Sequence, residues 1–180
     1  MAWIFSLSAE CGATQEAADS FAKHFKESSW IPSGEEAWKC STQVFQDGEG
    51  NWWCMVCPSG ISEIGVISPE DAHQMTKVGL LLYRRLRSAP SFRYALVGVE
   101  VDEFRTYSEL VSADGQSDIL IAGLVLAEEL WQQMGCPVGF RFFNAGYLWK
   151  PYEGEVYSPL KASSELREKL NELLIASSSP

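Results

Sequence analysis

The stretch GNWWCMVCPSG, residues 50–60, sets Cys54 and Cys57 three apart behind a pair of tryptophans. It is either a metal or redox site or an ordinary strand, and the fold depends on which. A structural zinc ion needs four Cys or His ligands converging tetrahedrally, so two cysteines at i and i+3 must have a turn between them. Met55-Val56 supplies none, and Pro58 and Gly60 lie just beyond the pair. In a regular strand the two thiols diverge. A thioredoxin-like motif sits where a helix N-terminus lowers a thiol pKa, whereas here a Pro-Ser-Gly turn follows. The strand reading is preferred, and a zinc-stabilised module through Cys40, Cys54 and Cys57 ranks third among the functional readings.

As a strand, Asn51–Cys57 pairs with Trp38–Gln46 across the turn residues Asp47-Gly48-Glu49-Gly50. A four-residue loop would place Gln46 opposite Asn51 and Cys40 opposite Cys57. Trp38, Cys40, Thr42 and Val44 would then share an inner face with Trp53, Met55 and Cys57, and Cys54 would point away beside Trp52 and Val56.

Upstream, Trp3–Ser8 reads as a first strand and Cys11-Gly12 as a turn. Thr14 resembles the N-cap of a helix over 15–28, with Ala17, Phe21, His24 and Phe25 near one face. Downstream, Ser68-Pro69 opens a second helix, with Glu70 and Asp71 in its first turn and Met75, Gly79, Leu82 and Leu86 as its buried stripe. Pro90 ends it. Phe92–Val101, FRYALVGVEV, is apolar on both faces and reads as a central strand. Ile119–Met134 reads as a strand entering the short helix EELWQQM, because helical periodicity begins only at Glu128; a single helix interrupted by Gly123 is the alternative. Gly139–Tyr152 is aromatic and strand-like, bent at Asn144-Ala145-Gly146. A last helix over 164–175 carries Leu166, Leu170, Leu173 and Leu174, and the SSSP tail at 177–180 should fray.

These elements predict one α+β domain over 1–176, with a mainly antiparallel sheet of about five or six strands packed against two larger helices and a C-terminal helix. The 180 residues are 46% hydrophobic and suffice for a core without staples. Five cysteines without a secretory leader pattern point to reduced thiols and the cytoplasm. With 24 acidic against 14 basic residues the net charge is −10, which repels nucleic acid and anionic lipid and suits a basic protein partner.

No motif assigns an activity. The chain has no phosphate loop, no His-Glu-x-x-His helix, no nucleophile elbow and no calcium loop. The candidate catalytic groups are His73, as a base, and Glu100 with Asp102, which alternation would place on one side at the exit of the 92–101 strand. Arg84, Arg85, Arg87 and Arg93 form the one basic concentration, which complements a helix C-terminus. Tyr147, Trp149, Tyr152 and Tyr157 lie in a segment too aromatic to hide behind one face, so they are the candidate partner-binding residues. The leading reading is a non-catalytic, cofactor-free protein that binds a protein partner through an acidic, aromatic-bearing surface, as an immunity, inhibitor or assembly factor would. An enzyme or small-ligand binder with a carboxylate pocket at the 92–101 strand exit is the alternative.

Overall fold

Asp47 decides the register of the first hairpin. Its carboxylate accepts the backbone N–H groups of Glu49 and Asn51 and the indole N–H of Trp53, and its own N–H donates to Asn51 O at 2.9 Å. The loop is therefore three residues, Gly48–Gly50, closed by the Asp47–Asn51 pair. Gly50 adopts φ 84°, the left-handed position such loops require. Strand β2 (Cys40–Gln46) then meets β3 (Trp52–Pro58) with Ser41 opposite Cys57 and Val44 opposite Cys54. This corrects the four-residue-loop register by one position, and with a side-chain period of two it exchanges the faces. Cys54 and Val56 lie in the core with Cys40 and Val44 packed against it, and Trp53 is on the other side.

The structure is a computed structural model that describes residues 4–26, 39–61, 65–102, 104–112 and 121–157. Trp3, Trp38, Ile119, the 164–175 helix and the 177–180 tail lie outside the described residues. The remaining elements are β1 (Phe5–Gly12), α1 (Gln15–Lys26), α2 (Pro69–Leu86), β4 (Tyr94–Val99), α3 (Tyr107–Val111), β5 (Val125–Ala127), α4 (Glu128–Gln133), β6 (Arg141–Asn144) and β7 (Tyr147–Trp149). Seven strands form one antiparallel sheet in the order β2-β3-β1-β4-β5-β7-β6. The fold is α+β, with more strands than the five or six expected, because the bend at 144–146 divides the last aromatic segment into two paired strands. Strand and then helix is the arrangement of 125–133.

Helices α1 and α2 cover one face. Phe21 and Phe25 of α1, and Met75, Leu82 and Leu86 of α2, pack on Leu7, Ala9, Cys54, Val56, Ala95 and Val97. Ser68 caps α2 by accepting the Asp71 N–H at 3.0 Å, as the Ser-Pro opening predicts. The C-terminal ends of the two helices are joined where Arg85 donates to His24 O at 2.8 Å. The other face carries a second core of Trp53, Tyr94, Leu96, Leu110, Leu124, Leu126, Leu130 and Met134, closed by α3 and α4. β1 and β4, covered on both faces, are the centre of the molecule.

Candidate functional site

Strand pairing on the second face aligns one row across all seven strands: Phe45, Trp53, Glu10, Tyr94, Leu126, Leu148 and Phe142. Six members are aromatic or aliphatic; the seventh is Glu10, 0% exposed. A lone carboxylate there would cost several kcal/mol, and three donors meet it. Arg93 approaches bidentately, Nε to Oε2 at 2.5 Å and Nη2 to Oε1 at 2.6 Å, and the Gly12 N–H donates to Oε1 at 2.8 Å. The bulge between Glu10 and Gly12 turns that N–H inward.

Around the pair the aromatic groups are fixed. The rings of Trp53 and Tyr94, on the strands either side of Glu10, touch at 5.4 Å, and both meet Phe104 edge-on at 5.8 Å. Tyr94 donates its hydroxyl to Arg105 O at 2.9 Å; burial, and then the Glu10 charge, push its phenol well above the ordinary range. The Arg93 guanidinium lies 4.1 Å from the centroid of Tyr107. Burial opposes its charge, but the hydrogen bonds and the charge of Glu10 outweigh that and hold Arg93 more firmly protonated. Tyr107 is itself held, donating to Gln133 Oε1 at 2.7 Å, and Ser108 donates its N–H and its hydroxyl to Glu49. Helix α3 is thereby tied to both α4 and the first hairpin loop.

Arg93, 31% exposed, opens onto a cleft of about 450 Å³ whose walls include Phe92, Glu128, Glu129, Gln132 and Tyr147. Two backbone bonds build it: Ala127 N–H to Arg93 O at 2.8 Å, and Glu128 N–H to Gly146 O at 2.9 Å. The ring of Tyr147 stacks on Phe92 at 4.4 Å, and its hydroxyl accepts the Phe92 N–H and donates to Phe92 O.

The candidate residues from the sequence are scattered. Glu100 and Asp102 are both exposed, and because β4 ends at Val99 and Glu100 turns with φ 53°, strand alternation does not carry through to Asp102. His73 is exposed on the first turns of α2, and none of the three lines the cleft, which lies at the opposite end of β4. Cys54 and Cys57 project from opposite faces of β3, and no three His, Cys, Asp or Glu side chains gather as a metal site among the described residues. Burial pushes the Cys54 thiol up to about 12 and the Cys40 thiol to about 11.

Tyr147, Trp149, Tyr152 and Tyr157 are each half-buried. Trp149 packs on Tyr83 and Phe143, and Tyr152 on Tyr83 at 5.1 Å. The exposed aromatic ring of this segment is Phe142, 73% accessible on β6, the last strand of the sheet among the described residues. Of the basic group, Arg85 serves the helix ends, Arg87 lies over Phe143, and Arg93 alone reaches the cleft. Sequence reasoning missed Glu10, because the first strand was ended at Ser8. Alternation would group Glu10 with Ser6 and Ser8 on the polar face of the strand, and only the second core packed over that face makes it interior.

Comparisons with protein-family models, curated proteins and solved structures find no match for this chain.

Proposed function

We propose that this is a non-catalytic, cytoplasmic binding protein whose partner is a basic protein, docked at the β6 edge with Phe142 as its apolar anchor. The observation that carries the reading is the end of the cross-sheet row. Leu126 is buried and Leu148 half-buried, and Phe142 continues the same apolar line into solvent at 73% exposure on a strand whose outer side pairs with no other strand among the described residues. Large apolar side chains in such a position suit an interface centre, and the net charge of −10 would steer a basic partner toward the molecule. Trp149 and Tyr152 pack against Tyr83 with the first core, and the proposed contact is centred instead on Phe142, on the opposite face of the sheet.

The test is affinity purification from the source cells, followed by titration of the stoichiometric partner against the wild type and Phe142→Ser. A loss of at least about tenfold in affinity, with Tm unchanged and binding weakened by salt, supports the proposal. A partner that binds Phe142→Ser as tightly as the wild type removes it.

A further inference from the structure

The cleft beside Arg93 presents both signs of charge to one small volume. Of the five N–H donors of a guanidinium, Glu10 engages Nε and one from Nη2. The others belong to a group whose plane is fixed on two sides, by the buried carboxylate and by the Tyr107 ring. An arginine so held is pre-organised, and it recognises a carboxylate by charge-assisted hydrogen bonds at little further cost in side-chain freedom. Glu128 and Glu129 stand exposed on the same cleft, on a helix start pinned to the β6–β7 turn. Tyr147, half-buried, is among the residues lining it; its ring stacks on the buried Phe92, and its hydroxyl is already occupied by the Phe92 backbone.

We propose that this cleft binds a free α-amino acid with an apolar side chain. Its carboxylate meets the remaining N–H groups of Arg93, its ammonium meets Glu128 or Glu129, and its side chain lies against the half-buried Tyr147. A simple anion is disfavoured, because Glu10 already balances Arg93 and the two glutamates leave the cleft acidic. A simple amine leaves the fixed guanidinium without an acceptor. A zwitterion satisfies both ends, and about 450 Å³ lies within the range of small-molecule sites. The inference does not depend on the partner surface, since Phe142 is not among the residues lining the cleft.

The experiment is thermal unfolding and calorimetry of the full chain with the twenty free amino acids, each at about 10 mM. The best binder is then compared with its N-acetyl and α-amide forms. The apolar members should raise Tm, and each blocked form should bind at least about tenfold more weakly. Glu128→Gln/Glu129→Gln, two exposed changes, should weaken binding similarly. Glu10→Gln/Arg93→Gln, which removes the buried charges together, should abolish it. No rise in Tm and no binding heat with any amino acid would overturn the proposal. So would an α-amide that binds as well as the acid, which would identify an amine site, or a Glu128/Glu129 double variant with unchanged affinity. Should the Glu10/Arg93 double variant fail to fold, the blocked ligands and the glutamate variant still decide.

Discussion

Removing Arg93 alone should be among the most damaging single substitutions in this protein. Arg93→Ala leaves the Glu10 carboxylate, 0% exposed, between Trp53 and Tyr94 with, among the described residues, only the Gly12 N–H to satisfy it. Breaking a buried ion pair in this way costs about 3–5 kcal/mol. Because Arg93 keeps 31% of its surface in solvent, water can reach the vacated position, and the lower end, about 3 kcal/mol, is expected. That corresponds to a fall in Tm of about 6–12 °C for a chain of this size. The cause is the stranded charge rather than lost packing, so the damage should largely disappear in a Glu10→Leu background, where an apolar side chain completes the row. There Arg93→Ala should cost less than about 1 kcal/mol, a coupling of at least about 2 kcal/mol. Urea unfolding of the four proteins, with m-values checked for constancy, measures the cycle. Additive effects, or an Arg93→Ala protein within about 1 kcal/mol of the wild type, would refute the claim that this pair holds the centre of the sheet together.

Other residues give independent expectations. Ser8 Oγ lies in a side chain with 0% exposure and has no hydrogen-bond partner among the described residues, so Ser8→Ala should stabilise by about 1 kcal/mol, read as a higher urea midpoint. Glu155 accepts the Tyr152 hydroxyl at 2.9 Å, yet burial, the larger effect, raises its carboxyl above the ordinary range. A raised folded-state pKa means that folding favours the protonated form, and stability falls as pH rises through that value. Glu155→Gln should therefore raise Tm at neutral pH and lose its advantage below the ordinary carboxylate range. Iodoacetamide at pH 8 should modify the exposed Cys136 well before Cys11 and Cys54, whose thiols are buried and, through that burial, raised in pKa. Exhaustive chelation should leave Tm unchanged, because Cys54 and Cys57 project from opposite faces; mass spectrometry and a melting curve check the two statements.

Much of the fold was legible in the chain, because its strongest features are local. Ser68-Pro69 announced α2 through the capping hydrogen bond that a serine can make, and the stripe through Met75, Gly79, Leu82 and Leu86 followed from helical period alone. The doubly apolar run around 94–99 declared a central strand, and the onset of periodicity at Glu128 separated β5 from α4. Cys54 and Cys57 were readable as strand residues because nothing between them can turn.

What the chain did not declare depends on where strands meet. The loop length at Asp47 shifted one hairpin by a single residue, and with a period of two that shift exchanged the faces of Trp53 and Cys54. No local pattern relates Glu10 to Arg93, 83 residues apart; antiparallel pairing of β1 with β4 brings them together. The same holds for the aromatics near the C-terminal end of the described chain. Composition showed that they were too many for one face, but only the register of β6 on β7 determined that Phe143 and Trp149 pack inward while Phe142 stands in solvent. Propensity and periodicity act over a few residues and fixed the elements, whereas burial and charge pairing are properties of neighbours in space and were decided by the tertiary structure.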